Sequence, residues 1–473
     1  MENSKLIQIL RTLSSIEIRK FSEFVQSPYF NKNKNVIDLM QILHKQHPKY
    51  SAKQASKQNI HKLMFKGKVF DEKDLRYPMS DLTKLLEEFL TIAELNDHVV
   101  LKKHFQLKAF NRRNLEKQFP SLMKDAFKEI EKDKFRDTDY YFRKFLLEED
   151  AFEFTFKHFN HAHKNNLQQV VENLDVFYLA TKLKYCCEII NNRNTFKFDQ
   201  DTLMLDEILN FLKKNSYEHI PLISIYHKIL LTLIESEDEQ HFTDLRDLLT
   251  KFSTSFPVEE QHTMFVYALN YCVHRINKGN SGYLRQYFEI FKQLIDREIV
   301  FVDGNLTQWD YKNMVTTGLR LKETDWVADF IKLYKNKIRE DHRENAYKYN
   351  QAHLKFFQKK YDDTIKLLSQ VEFTDIYYHL DSKSLLLKTY YEKREIESFF
   401  SLVDAFKVYL SRNKLISDYQ RTTYRNLVKL THKMFKAKLI GDKKGEAFLS
   451  EIQNTNPLSN VSWLKQKAEE LVK

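Results

Sequence analysis

Three histidines near the middle of the chain have a spacing that could bind a metal ion. His158, His161 and His163 lie in one short segment, and imidazole nitrogens are common zinc ligands. On a helix, His158 and His161 would share a face, whereas His163 would point away from it. No cysteine lies nearby in the sequence to complete a site. We therefore predict a solvated helix end here and no metal site.

A run of carboxylates just before these histidines could supply a general acid and a general base. The run consists of Glu148, Glu149, Asp150 and Glu153. Acid–base catalysis needs a carboxyl group that burial or a second carboxylate holds partly protonated. Because the surrounding segment is strongly charged, we expect a solvated helix face and no catalytic pair.

The sequence also lacks the short motifs that hold phosphates or catalytic zinc. It contains no GxxxxGK[ST], GxGxxG or HExxH pattern, and its seven glycines are scattered. We therefore predict a protein that is not an enzyme, has no cofactor and has no small-molecule substrate.

Basic side chains are concentrated in two N-terminal segments and could bind an anion. The formal net charge is +11; residues 32–68 hold nine lysines against Asp38, and residues 101–118 hold six basic residues against Glu116. Several of the lysines recur every four residues, so we expect them to share a helical face. Nucleic acid or another polyanion fits such a surface, since phosphate neutralisation needs only charge; a merely solubilising surface is the alternative. The candidate polyanion-binding residues are Lys49, Lys53, Lys57, Lys62, Lys66, Lys108, Arg112, Arg113 and Lys117.

Asparagines and lysines in the second half of the chain could bind a protein partner. An asparagine side chain can hydrogen-bond a peptide backbone, and a lysine can meet a carboxylate. The residues predicted to line a partner-binding groove are Asn270, Lys312, Asn313, Lys348, Asn350 and Lys388. Local packing or helix capping by the asparagines is the alternative interpretation.

The elements that carry these residues are predicted to be helices. Seven glycines and seven prolines in 473 residues are about a quarter of ordinary usage, and sheets need both residues for their tight turns. Apolar residues recur at helical spacing, as at Leu205, Ile208, Leu209 and Leu212. The predicted fold class is all-α, with an N-terminal helical domain followed by a tetratricopeptide-like α-solenoid of helical hairpins.

The organisation along the chain is predicted to have three parts. Residues 1–100 are typical of a compact helical N-terminal domain, residues 101–255 of long charged helices, and residues 256–473 of tetratricopeptide-like helical hairpins.

Local signals predict where several helices begin or bend. Ser14 with Glu17, and Ser236 with Glu239, have the spacing of a capping box. Pro78 falls inside an otherwise periodic stretch, so we expect a kink or a break there.

A weak internal repeat supports the hairpin prediction. A shift of 34 residues aligns Phe356 with Tyr390 and Ala352 with Gly318. Thirty-four residues is the tetratricopeptide period, in which small residues let two helices approach closely. Unrelated antiparallel helices with a coinciding spacing are the alternative.

Five stretches spread over nearly the whole chain carry a resemblance to a known family. They are SPYFN at 27–31, LRYPMSDLTKLLEEFL at 75–90, NYCVHRINKG at 270–279, YKNMV at 311–315 and DSKSLLLKTYYEKREIESFFSLVDAF at 381–406. Together they resemble an all-helical family found mainly in Bacteroidota, with degenerate tetratricopeptide-like C-terminal repeats. The resemblance implies a helical N-terminal region followed by repeat-like hairpins, and it implies no activity. Within the third stretch, Gly279 indicates the end of a helix.

The remaining features favour a soluble protein of the cell interior. Cys186, Cys187 and Cys272 show no disulfide framework, which is typical of small buried residues in a reducing compartment. We find no apolar run long enough to span a membrane and no signal peptide, so we predict a cytoplasmic location.

These observations predict a binding protein. The preferred function is a non-enzymatic interaction or scaffold protein that binds protein partners through the groove of its helical repeats. The alternative is a nucleic-acid-associated protein that docks through residues 32–68 and 101–118.

Overall fold

The computed structural model describes residues 3–158, 166–196, 200–371 and 376–472. Within these residues it contains 23 α-helices and no β-strand, and only two isolated β-bridges occur. The predicted all-α fold is therefore confirmed.

The chain divides into two compact units, residues 1–182 and residues 183–473. The predicted boundaries after residues 100 and 255 fall inside these units, and the three-part division stays a prediction. The helices that lie in the first unit or begin in it are α1 (Lys5–Leu10), α2 (Ser15–Gln26), α3 (Lys34–Gln46), α4 (Lys57–Met64), α5 (Glu72–Asp97), α6 (Val99–Arg112), α7 (Phe119–Ile130), α8 (Thr138–His158) and α9 (Leu167–Phe196).

Helices α1 to α5 enclose one apolar core, because each has a single apolar stripe that must leave water. Phe21, Leu39 and Leu86 lie fully buried in it. The predicted capping box at the start of α2 is confirmed, since the Ser14 hydroxyl accepts from the Glu17 amide and the Glu17 carboxylate accepts from the Ser14 amide.

Helix α5 passes through Pro78 without breaking. A proline removes one helical hydrogen bond, which here leaves the carbonyl of Asp74 without its usual donor. The side chain of Pro78 is buried, so packing against the core offsets this loss. Of the predicted kink or break at this position, the break does not occur.

The second unit contains the remaining helices of the described chain. They are α10 (Leu205–Lys214), α11 (Pro221–Ile234), α12 (Glu239–Phe252), α13 (Val258–Asn277), α14 (Tyr283–Asp296), α15 (Gln308–Arg320), α16 (Thr324–Leu333), α17 (Glu340–Phe357), α18 (Tyr361–Leu368), α19 (Ile376–Lys393), α20 (Ile396–Arg412), α21 (Asp418–Ile440), α22 (Gly445–Asn454) and α23 (Val461–Glu470). The predicted capping box at Ser236 is wrong, because Asp238 caps α12 by accepting from the Gln240 amide.

From α13 onward, consecutive helices pack as hairpins: α13 with α14, α15 with α16, α17 with α18, α19 with α20, and α21 with α22. The first helices of these hairpins also stack, since α15 packs on α17, α17 on α19 and α19 on α21. This packing matches a helical solenoid, in which each pair buries its apolar face against its neighbours.

The turn inside each hairpin contains one residue in the left-handed conformation. At Lys359 the amide donates to the Phe356 carbonyl at 2.9 Å, and the next amide donates to the Lys355 carbonyl at 2.9 Å. This pair of hydrogen bonds closes the end of the helix without any side chain. The left-handed residues of the five turns are Gly279, Lys322, Lys359, Arg394 and Gly441. The predicted helix end at Gly279 is confirmed.

The distance between corresponding turns varies along the array. The second and third turns are 37 residues apart, and the third and fourth are 35 apart. Aligning these turns pairs Phe356 with Tyr391, so the predicted pairing with Tyr390 is off by one residue. A constant period of 34 residues therefore does not describe these three hairpins.

Candidate interaction sites

The predicted groove residues lie on four first helices of the array. They are Asn270 on α13, Lys312 and Asn313 on α15, Lys348 and Asn350 on α17, and Lys388 on α19. Asn270 and Asn313 are exposed, so both side chains are accessible to a partner. Their role in binding stays a prediction.

Helix α17 carries two predicted groove residues, of which one is buried. Asn350 is completely buried, and its amide nitrogen donates to the Ala346 carbonyl at 2.8 Å. Lys348 is half-buried, and its ammonium lies 3.4 Å from the Gln370 carbonyl oxygen. Helix α17 is packed between α15 and α19, and Asn350 lies on the buried face of the helix together with Ala346 and Tyr349. The prediction that Asn350 contacts a partner is therefore wrong, and the alternative of local packing holds for this residue.

Lys312 is engaged in an ion pair that joins two first helices. Its ammonium lies 2.6 Å from Oδ2 of Asp381, and it also lies over the ring of Trp309 at 5.0 Å. The hydroxyl of Tyr424 donates to the other carboxylate oxygen of Asp381 at 2.5 Å. Asp381 thus connects α15, α19 and α21, and Lys312 serves the packing of the array.

Lys388 is a buried cation, and no carboxylate of the described residues lies in hydrogen-bond contact with it. Its side chain is 8% exposed, and Nζ donates to the side-chain oxygen of Asn460 at 2.8 Å. The Asn460 amide in turn donates to the hydroxyl of Ser384 at 3.0 Å. Burial lowers the pKa of Lys388 from 10.5 to about 8, because removing an ammonium from water disfavours its charged form. The prediction that Lys388 lines the groove is therefore also wrong, because its contacts are internal.

These side chains form an internal polar seam, which we define as Lys312, Asp381, Tyr424, Lys388 and Asn460. The sequence contains one signal for this seam that the groove prediction did not use. On α19, the polar side chains at positions 381, 384 and 388 recur with helical spacing. A polar stripe on a helix that is packed on several sides indicates internal hydrogen bonding.

Beside the seam, a histidine and a tyrosine on α17 pair with one another. The Nε2 atom of His353 lies 2.8 Å from the hydroxyl of Tyr349. Burial, followed by the nearby Lys388 and Lys312 ammonium groups, lowers the pKa of His353 well below its usual value. The imidazole is therefore neutral at physiological pH.

The first basic segment does not form the expected single helical face. Lys49 and Lys53 lie in turns between α3 and α4, and only Lys57 begins a helix. The connecting segment folds inward because Tyr50 and Ala55 are both completely buried. The expected i, i+4 stripe is therefore wrong, although all of its lysines except Lys57 are exposed.

The rest of this segment divides into one paired and two unpaired lysines. Lys57 forms an ion pair with Glu72, which connects α4 to α5. Lys62 and Lys66 are exposed and form no ion pair within the part of the chain that the structure describes.

The second basic segment is partly neutralised. Lys108 lies 2.9 Å from Glu153 and 3.4 Å from Asp150, so its charge is balanced internally. Arg112, Arg113 and Lys117, at and beyond the end of α6, are exposed and stay candidates for polyanion binding.

The acidic run on α8 is less solvated than expected. Asp150 is 2% exposed, and its carboxylate lies 2.7 Å from Nδ1 of His104. Glu148 is also buried, and it accepts from the side-chain amide of Asn166 at 2.6 Å. The expected solvated face is therefore wrong for these two residues, because α8 packs against α6 at Asp150 and Asn166 contacts Glu148.

The histidine segment is only partly described. Nδ1 of His158 lies 3.1 Å from the Glu116 carboxylate, whereas His161 and His163 lie outside the described residues. Among the residues that are described, no group of three or more histidine, cysteine or acidic side chains is arranged to hold a metal ion. In the same residues, no helix is both long enough and apolar enough to cross a bilayer.

Comparison of the chain with protein-family models, with curated proteins and with solved structures finds no match.

Proposed function

We propose that the protein is a non-enzymatic interaction or scaffold protein that binds a protein partner through its array of helical hairpins. The observation that carries the proposal is the stacking of the first helices from α15 to α21. Stacked hairpins create an extended surface from many helices, which suits recognition of another chain.

The polar seam supports this function indirectly. Ion pairs and hydrogen bonds between α15, α19, α21 and the start of α23 fix neighbouring helices relative to one another. A rigid array presents its exposed side chains in one arrangement, which lowers the ordering cost of binding. Exposed residues such as Asn270 and Asn313 are then the accessible contacts.

Site-specific photocrosslinking tests the proposal. A photoreactive amino acid is placed at Asn270 or Asn313 in the cells that naturally express the protein, and at Glu88, an exposed position of α5, as the control. We expect both array positions, but not Glu88, to capture the same protein. Capture of no protein from either array position would refute the proposal.

We also propose a repeat type, a family and a cellular location for the protein. We propose that the hairpins are tetratricopeptide-like, that the chain belongs to the Bacteroidota family it resembles, and that it acts in the cytoplasm. The hairpin packing supports the first of these, and the absence of a disulfide among its buried cysteines is compatible with the last.

A second candidate function is the binding of nucleic acid or another polyanion. Lys49, Lys53, Lys62 and Lys66 are exposed, and none forms an ion pair within the described residues. Unpaired lysines at this density repel one another, and an approaching polyanion relieves that repulsion.

A further inference from the structure

A cleft of about 580 Å³ lies where α19 packs against α20 in the fourth hairpin. It opens to solvent, and its volume is within the range of ligand sites. Ala405, Val408 and Tyr409 of α20 form an apolar floor, and the side chain of Val408 is 47% exposed. The remaining lining residues are His379, Lys383, Arg412 and Asn413.

The charges of this cleft are of one sign. Lys383 and Arg412 both line it. Among the described residues, no acidic side chain lines the cleft and neither cation forms an ion pair. Burial lowers the pKa of Lys383, and no neighbouring carboxylate opposes that effect. The ring of Tyr409, 5.8 Å from the ammonium, is the neighbour that partly offsets the lost hydration.

A second cleft in the same unit shows that this lack of acidic residues is not general. The cleft of about 690 Å³ among α10, α11 and α12 contains Lys228, but also Asp244 and Asp247. Its Lys228 and Asp244 form an ion pair at 2.7 Å. That cleft sets three carboxylates against its four lysines. The cleft between α19 and α20 has two cations and, among the described residues that line it, no carboxylate.

We propose that the cleft between α19 and α20 binds a short segment of a protein partner in which an acidic residue adjoins a large apolar residue, an inference that rests on the interaction function proposed above. The carboxylate meets Lys383 and Arg412, since a guanidinium and a carboxylate form paired hydrogen bonds. The apolar side chain covers Ala405 and Val408 and removes them from water.

Two other anionic occupants fit the cleft less well. A nucleic-acid strand needs a row of cations and free aromatic faces, whereas this cleft has two cations and one tyrosine, and His379 already lies 4.2 Å from that ring, centroid to centroid. A fatty-acid chain needs an enclosed apolar channel, and this cleft is open.

Fluorescence anisotropy with defined peptide pools tests the assignment on the full chain. One labelled octapeptide pool places Asp or Glu next to Leu, Phe or Trp, and a second pool replaces each acid by its amide. We expect saturable binding of the acidic pool and binding weaker by about a factor of ten or more for the amide pool. Equal binding of both pools would overturn the assignment.

Variants locate the binding. Lys383→Glu with Arg412→Glu, and separately Val408→Asp, should each weaken binding of the acidic pool by about tenfold. Lys429→Glu is the matched control, because Lys429 is an exposed lysine of α21 outside the cleft, and it should bind like the unaltered chain. All four positions are at least partly exposed, so we expect unchanged melting temperatures. Binding that survives both cleft variants would overturn the proposal.

Two further outcomes separate the cleft proposal from the proposed interaction function. If a labelled oligonucleotide binds as tightly as the acidic pool and loses binding in the Lys383 and Arg412 variant, the occupant is nucleic acid and the peptide assignment fails. If no peptide binds while photocrosslinking from Asn270 and Asn313 still captures a partner, the cleft proposal fails and the interaction function stands.

Discussion

At the scale of single residues, the hairpin turns show how a glycine-poor chain ends its helices. Lys322, Lys359 and Arg394 adopt left-handed backbone angles, with φ of 64°, 60° and 59°. A side chain in this conformation costs about 1 kcal/mol or more, because Cβ approaches the following carbonyl oxygen. The two amide-to-carbonyl hydrogen bonds of each turn offset that cost.

Replacing such a residue by glycine should stabilise the protein. We expect Lys359→Gly to raise the free energy of unfolding by about 0.5–1 kcal/mol, since relief of strain exceeds the added flexibility of the unfolded chain. Lys429→Gly, in the middle of α21, is the matched control and should lower it by about 1 kcal/mol. Thermal denaturation measures both, and shifts of the same sign would contradict the strain argument.

The buried ammonium of Lys388 predicts a specific pH dependence. Its pKa is about 8 in the folded chain and 10.5 as an ordinary lysine, so the unfolded state binds more protons between these values. The contribution of Lys388 to stability therefore rises with pH through this window, by at most about 3 kcal/mol over its whole width. Below about pH 8 the side chain is charged in both states, and its burial is destabilising.

Comparison with Lys388→Met isolates this effect. Methionine keeps the length and apolar stem of the side chain but cannot titrate, so contributions of other groups cancel in the difference. We expect chemical denaturation between about pH 7 and about pH 9.5 to show stability increasing more with pH in the unaltered chain than in the variant. Parallel curves would show that Lys388 keeps an ordinary pKa.

At the scale of elements, one glycine controls how closely α14, α15 and α16 approach. A Cβ at Gly318 would lie 2.5 Å from Cγ2 of Val327 and 3.2 Å from a ring carbon of Phe288. We expect Gly318→Ala to destabilise the chain by about 1–3 kcal/mol. Alanine favours a helix more than glycine does, but the free-energy cost of overpacking exceeds that gain.

Gly282→Ala is the control for this experiment. Gly282 precedes α14, and a Cβ there would meet only the flexible Asn280 side chain at 3.3 Å. Its melting temperature should be unchanged or slightly higher. Equal destabilisation by both substitutions would exclude close packing as the cause.

The ion pair between α15 and α19 should couple these helices energetically. In a double-mutant cycle of Lys312→Met and Asp381→Asn, we expect an interaction free energy of about 1–3 kcal/mol, since both groups are largely withdrawn from water. The exposed pair Lys407 and Asp404 on α20 should give about 0.5 kcal/mol or less. A similar value for both pairs would mean that the seam does not stiffen the array.

Sequence reasoning succeeded where one signal dominated an element. The scarcity of glycine and proline predicted an all-α chain, and the spacing of Ser14 and Glu17 predicted the start of α2. It failed where tertiary packing competed with a local signal. Pro78 stays in its helix because the core holds it, and Asp238 displaces Ser236 as the cap of α12 because it lies directly before the first turn.

At the candidate sites, too, tertiary packing decided what the local sequence could not predict. Asn270, Asn313, Asn350 and Lys388 all lie on first helices, yet only the first two are exposed. The burial of Asn350 and Lys388 depends on neighbours more than twenty residues away. No local pattern encodes that α17 and α19 are packed on several sides. The inward polar spacing at Asp381 and Lys388 was the one readable clue.

At the scale of the whole molecule, the net charge of +11 gives a test of polyanion binding. We expect a labelled duplex DNA to bind with an affinity that falls steeply with salt. Reversing Lys49, Lys53, Lys62 and Lys66 to Glu should reduce the slope of log affinity against log salt by about 3 to 4, one counterion for each lost phosphate contact.

A matched reversal of four exposed lysines in the second unit controls for net charge. These are Lys359, Lys414, Lys429 and Lys436. If both quadruple variants lose the same slope, the attraction is general and not local to residues 32–68. If the unaltered chain shows no binding at low salt, the polyanion candidate is removed.

The buried thiols have a practical consequence for following the array in solution. Cys186, Cys187 and Cys272 are all buried, and burial raises the pKa of Cys272 to about 12 and that of Cys187 well above its usual value. Maleimide dyes react with thiolates, so the native cysteines are nearly silent to them. A cysteine introduced at Lys359, whose side chain closes no turn, would be labelled selectively. Dyes placed on two such turns would report, by energy transfer, whether the distance between these turns changes when a partner binds.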